Sequence, residues 1–172
     1  MNRLMLVLML AILLLPIAAR AQEAEVRGTY EGEVTKVKNG DIFDIDGESF
    51  RLMGIDAPRP SKCPRVVSCR ADEAKKFLEE KILGRTVTYD YDRMQGRRDK
   101  RGIRRIYLYL DGELVNATMI EQGNAFADRA RDYEKKDLFL GMENLTRRRS
   151  MGLWHSCPVE CTGSTVCRTK SW

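Results

Sequence analysis

Apolar and polar residues alternate along several short stretches in the first half of the chain, and each stretch stops at a turn signal. Phe50, Leu52 and Gly54 interleave with Arg51, Met53 and Ile55, the period of two that marks a half-buried strand. Pro58 and Pro60 then forbid its continuation and bias Ala57 and Arg59 toward extended geometry. Asn39-Gly40, Asp46-Gly47 and Asp111-Gly112 each lie between apolar-periodic segments, the strongest short-range hairpin signal. Strands are predicted over residues 29–38, 41–46, 49–55, 85–92 and 103–110, with a short return over 113–115.

A second period enters between the third and fourth strands. Ala74, Phe77, Leu78 and Ile82 recur at helical spacing, and Gly84 is placed to end that helix. Asn116 is the expected cap of a second helix carrying Met119 and Ile120, ended by Gly123. Leu138, Met142 and Leu145 mark a third, running toward Leu153-Trp154. Five strands, a helix after the third and helices behind predict an α+β, mainly β fold: a five-stranded OB-type Greek-key barrel with about three helices. Tyr107 and Trp154 are expected in the core, and His155 on the surface. The tail from His155 onward lacks periodicity and reads as an appendage.

The chain's start reads differently. Arg3 precedes an unbroken apolar run from Leu4 to Leu15, and Ala19-Arg20-Ala21 follows as a cleavage pattern. Residues 1–21 are therefore expected to be a signal peptide, with Gln22 first in the mature chain. The competing reading is an uncleaved anchor, for which the run is short of the ~20 residues a span needs. Residues 22–154 form the expected barrel domain and 155–172 a cysteine-containing tail. The formal charge falls from +5 to +3 when Arg3 and Arg20 leave, so the domain is only mildly basic. Where the charge sits matters more: Arg97, Arg98, Lys100, Arg101, Arg104 and Arg105 crowd one stretch, and Arg147, Arg148 and Arg149 form a second.

Cys63, Cys69, Cys157, Cys161 and Cys167 in an exported chain are disulfide candidates. The spacing His155-x-Cys157-x3-Cys161-x5-Cys167 matches no paired zinc pattern. Cys63 is expected to be oxidised, its partner either Cys69 or a tail cysteine. The odd thiol is either free or joins this chain to a disulfide-linked partner. A periplasmic or secreted location follows from the same reading, with no membrane contact after cleavage.

Arg51 and Asp56, a guanidinium and a carboxylate at the rigid end of one strand, suit a site that handles phosphate and a cation; the plainer alternative is an exposed ion pair. From about Gly28 to Trp154 the chain resembles the staphylococcal-nuclease-like (thermonuclease) domain family. The resemblance is carried in order by Asn39-Gly40-Asp41, Arg51-Leu52-Met53-Gly54-Ile55-Asp56-Ala57-Pro58, Glu73-Ala74-Lys75-Lys76-Phe77 and Asp99-Lys100-x-Gly102. Tyr107-Leu108-Tyr109-x-Asp111-Gly112, Val115-Asn116, Gln122-Gly123-x-Ala125 and Gly152-Leu153-Trp154 continue it.

The resemblance implies an OB barrel and calcium-dependent cleavage of DNA and RNA. It places Asp41, Asp56 and the Ala57 carbonyl as ligands of a Ca2+ ion and Arg51 as one catalytic arginine. It also places a glutamate directly after Pro58 and a second arginine directly after Gly102. Those positions hold Arg59 and Ile103, and no Asp or Glu lies between Asp56 and Asp72. Three functions are consistent with these residues. The first is a module gripping nucleic acid or another polyanion, without sequence preference, through Arg51, Arg59, Lys100, Arg101 and Arg105, with hydrolysis weak or lost. The second is an active calcium-dependent phosphodiesterase in which Arg105, on the same strand face as Ile103, reaches back. The third is a scaffold whose cysteine tail contacts proteins.

Overall fold

The computed structural model describes residues 30–59, 68–162 and 166–169. Strand β1 (Tyr30–Asn39) pairs antiparallel with β5 (Thr86–Asp90) through its first half and with β2 (Ile42–Ile45) through its second. Strand β3 (Glu48–Leu52) pairs antiparallel with β2 and parallel with β6 (Arg104–Leu110), which itself pairs antiparallel with β5 and with the short return β7 (Glu113–Leu114). The β3–β6 pairing closes these five strands into a barrel of the OB type. Val34, Phe43, Ile45, Phe50, Leu52, Val87, Ile106 and Leu108 are buried in its core. Removing such side chains from water is worth roughly 1.5–3 kcal/mol each.

Two turn signals close as their sequence dictates. Asp46 and Gly47, then Asp111 and Gly112, all have positive φ, the conformation a two-residue hairpin loop requires. Asn39-Gly40 turns without positive φ.

Four helices occur among the described residues: α1 (Ala71–Ile82), α2 (Val115–Glu121), α3 (Lys136–Arg148) and α4 (Leu153–Ser156). Helix α1 buries Ala74, Leu78 and Ile82, the face its spacing predicts. Tyr107 is buried and His155 exposed as expected, while Trp154 is half-buried, packed edge-on to Phe126.

Four expectations are corrected. The strand predicted over residues 49–55 is two: β3 ends at Leu52, and β4 (Ile55–Asp56) pairs instead with β8 (Phe126–Ala127). The break falls at Gly54, whose φ is +74 and whose missing side chain leaves room for the Tyr133 and Phe139 rings. Asn116 caps nothing. It lies inside α2, fully buried, donating from Nδ2 to the Met53 and Ile106 carbonyls and accepting the Leu108 N–H at Oδ1. Helix α3 buries Phe139, Glu143 and Thr146, while Leu138 and Leu145 are exposed. Glu143 takes the core position because it accepts from the Ala127 N–H and pairs with Arg129.

The fourth correction concerns the tail, which forms a hairpin, β9 (Val159–Thr162) against β10 (Val166–Thr169). A Cys69–Cys157 disulfide, spanning 88 residues of sequence, ties it to the entrance of α1. Cys161 is also disulfide-bonded. Cys63 and residues 1–29 lie outside the described residues, but the alternative that pairs Cys63 with Cys69 is overturned, because Cys69 is bonded to Cys157. Closing so long a loop restricts the unfolded chain by up to ~4–5 kcal/mol in the entropic account. Reduction is expected to lower Tm by about 5–15 °C in calorimetry. An unchanged Tm would show that the bond carries no stability.

Candidate functional site

Asp41 is placed by its neighbours in sequence. The Asn39 side-chain oxygen accepts the backbone N–H groups of Asp41 at 3.1 Å and Ile42 at 2.9 Å, turning the chain without positive φ. A Cβ on Gly40 would come within 2.8 Å of Ala57 Cβ and 2.9 Å of Ala74 Cβ. Only glycine lets this turn rest against the Asp56-Ala57 corner and α1. Asp41 is consequently buried completely, while Asp56 reaches the surface from β4.

Two guanidiniums hold these carboxylates, and they use the same two oxygens. Arg51, from β3, donates through Nε to Asp41 Oδ2 at 2.8 Å and through Nη2 to Asp56 Oδ1 at 2.9 Å. Arg59 donates through Nη2 to Asp41 Oδ2 at 2.6 Å and to Asp56 Oδ1 at 3.0 Å. The result is a closed ring of two cations and two anions. Burial pushes the Asp56 carboxyl up; Arg59 and Arg51 pull the other way, Asp41 adds to the rise, and the net shift is upward. Burial alone would lower the pKa of Arg59, but Asp41 and Asp56 outweigh it and hold the guanidinium more firmly charged.

A cleft of about 480 Å³ opens beside this ring. Seven cationic side chains line it, Arg51, Arg59, Arg98, Lys100, Arg101, Arg105 and Arg131, with Asp99 as the lone carboxylate, alongside Ile42, Gln95 and Ile103. The parallel register sets Arg51 directly beside Arg105. The loop before β6 delivers three more: Asp99 Oδ1 accepts the N–H groups of Arg101 at 2.8 Å and Ile103 at 3.0 Å, and Gly102 N–H donates to the Asp99 carbonyl at 2.9 Å. Burial raises the Asp99 carboxyl, and those two backbone donors more than reverse it, so it stays ionised below its usual range. Burial lowers the pKa of Arg105, and the nearby Arg131 and Arg51 add to the fall. Like charges crowded this way favour an incoming anion.

The structure thus brings together Arg51, Arg59, Lys100, Arg101 and Arg105, and sets Asp41 and Asp56 at one end of the group. Arg97 and Arg104 of the same basic stretch go elsewhere, Arg97 over the Tyr91 ring at 4.8 Å and Arg104 to Glu48 at 3.0 Å. Sequence reading missed Arg131, which follows β8 and reaches the cleft only through the fold, where it pairs with Asp128. Ile103 stands in the cleft wall, so the position after Gly102 does face the site.

Calcium takes six to eight oxygen ligands. Asp41, Asp56 and the Ala57 carbonyl offer oxygen, but a guanidinium nitrogen lies within hydrogen-bonding distance of both carboxylates. The residues as placed do not fit a calcium ion. Among the described residues no group of three or more His, Cys, Asp or Glu side chains is arranged to hold a metal.

Residues 49–156 match the family model described as Staphylococcal nuclease homologue. The chain belongs to this family. Members of the staphylococcal nuclease family include nucleases, so a nucleic-acid-related role is the family-level function. An uncharacterized protein of Methanocaldococcus jannaschii is 26% identical over 150 residues, covering 73% of this chain and 72% of that one. A second uncharacterized protein, from Bacillus anthracis, is 30% identical over 100 residues, 55% of this chain and 46% of its own length. The endonuclease YncB of Bacillus subtilis (strain 168) is 27% identical over 95 residues, 55% of this chain and 43% of its own length. The chain spans less than half the length of these two Bacillus relatives.

Proposed function

We propose that this chain is an exported domain that binds nucleic acid or another polyanion in the arginine cleft, with the family's calcium-dependent hydrolysis weak or lost. The observation that carries this reading is the cleft itself: seven cations and one carboxylate line it, and after Arg51 and Arg59 pair with Asp41 and Asp56, and Arg131 with Asp128, positive charge is still in excess. Its donors match phosphate oxygens in charge and geometry. Contacts to phosphate carry no base identity, so recognition through them is indifferent to sequence. Hydrolysis is weak because Arg59 and Ile103 stand where the resemblance places a base and an arginine. Losing a general base costs ~10²–10⁴ in rate, and losing a transition-state arginine ~10³ or more in other phosphoryl-transfer enzymes.

Export belongs to the same reading and is checked by intact mass, with Gln22 as the expected first residue. Binding is tested by fluorescence anisotropy on a single-stranded oligonucleotide across a salt series. With about three to five phosphates neutralised, log affinity is expected to fall against log salt with a slope of roughly −2 to −4. Changing the base composition should leave it unaltered. A salt-independent affinity, or no binding at low salt, removes the reading.

The relative named as an endonuclease favours a second reading, calcium-dependent phosphodiester cleavage. Turnover by the purified mature protein with calcium, abolished by a chelator, would establish it. A third, a scaffold joined to other chains through the odd thiol, would show as a reductant-sensitive band on a non-reducing gel.

A further inference from the structure

We propose that Arg59 is a tethered cation: its guanidinium takes the place between Asp41 and Asp56 that a divalent ion would hold, and the cleft accepts phosphate oxygens without metal. For its ligand the inference rests on the polyanion reading above; for its cation it does not.

The charge balance around the two carboxylates makes the argument. Asp41 is completely buried, and a buried carboxylate persists ionised only with a counter-charge. Arg51 supplies one positive charge to two carboxylates, leaving them one short. Arg59 supplies the missing one through a single nitrogen, 2.6 Å from one carboxylate oxygen and 3.0 Å from the other. That bridging of two carboxylates from one point is what a cation in this place does. Metal and guanidinium therefore compete for the same two oxygens, and both together would leave an excess of positive charge among Arg51, Arg59 and the ion.

Arg59 is not spent by this role. A guanidinium has five N–H donors, and the two bonds to carboxylates use Nη2 alone. Its side chain is 40% exposed and lines the cleft, and its remaining donors are not used in the bonds to Asp41 and Asp56. Asp41 Oδ1 is buried with no hydrogen bond to a described residue. The carboxylate pair thus keeps an unspent acceptor for a cation when Arg59 is removed.

The test uses the mature oxidised protein, as wild type, Arg59→Gln and Arg59→Lys, each checked for an unchanged circular dichroism spectrum. Calcium is titrated calorimetrically without any polyanion. Wild type and Arg59→Lys are expected to bind no calcium below about 1 mM, the weak end of protein calcium sites, and Arg59→Gln to bind at least about 10-fold more tightly. Affinity of wild type for a single-stranded oligonucleotide is expected to change less than about 2-fold between calcium and chelator, whereas Arg59→Gln loses roughly 10-fold in chelator and recovers in calcium. Calcium binding by wild type at or below about 100 µM, or oligonucleotide binding that chelator abolishes, overturns the proposal even if Arg59→Gln does not fold. If no protein binds the oligonucleotide, the polyanion reading fails, and the calcium titration still decides the cation claim.

Discussion

Replacing Arg59 by glutamate and Ile103 by arginine together is expected to raise calcium-dependent cleavage of single-stranded DNA roughly 10²-fold or more above wild type. The geometry supplies the reason. Arg59 is bonded to both carboxylates, so its replacement removes a cation from the acidic pair and adds a third carboxylate beside Asp41 and Asp56. Ile103 already lines the cleft that holds Arg51 and Arg105, so an arginine there has the substrate's side of the site within reach. The glutamate alone should admit metal while leaving charge on the phosphorane under-stabilised. The arginine alone should do little, because no water is activated for it to exploit. Such non-additivity is the signature of groups that act as one unit. A gel assay with calcium and chelator arms decides it. Family-like cleavage by wild type, slowed by the double change, would refute the account of this site.

The second large effect concerns stability. Asn116→Ala is expected to cost about 3 kcal/mol, and Asn116→Asp more than about 4 kcal/mol, out of a total of roughly 5–15. The buried amide satisfies the Leu108 N–H at 2.9 Å, the Met53 carbonyl at 2.9 Å and the Ile106 carbonyl at 3.1 Å. Alanine leaves these groups without that partner in a place no water freely reaches. Aspartate keeps the shape but sets a carboxylate oxygen against two carbonyls, adding repulsion and the desolvation of a charge. Denaturant unfolding should rank wild type above alanine above aspartate. Equal stability of the three would show that the network contributes nothing.

The same residue shows where sequence reading reaches its limit. Strand positions, turns and the buried face of α1 were legible because local apolar period and turn chemistry determine them. Asn116 was expected at a helix start because asparagine suits that place, and its real partners are 8, 10 and 63 residues away. Helix α3 was misjudged in the same manner: counting apolar residues favours Leu138 and Leu145, whereas Glu143 is buried by partners outside its own helix. At the site, the absence of a glutamate and an arginine was legible position by position. That Arg59 turns back onto Asp41 depends on a contact spanning 18 residues, and Arg131 joins the cleft only through the fold.

The Cys69–Cys157 bond has a consequence for proteolysis. Arg93, Arg97, Arg98 and Arg101 are exposed in the loop between β5 and β6, and trypsin-like enzymes cut after such residues. That loop lies inside the 88-residue span the disulfide closes. A single scission there divides the backbone and releases nothing: the piece with Asp41, Arg51 and Asp56 stays covalently joined to the piece with Arg105, and β5 stays laddered to β6. The nicked protein would persist as a two-fragment molecule that keeps both walls of its cleft, and come apart as two bands only when denatured with the disulfide reduced.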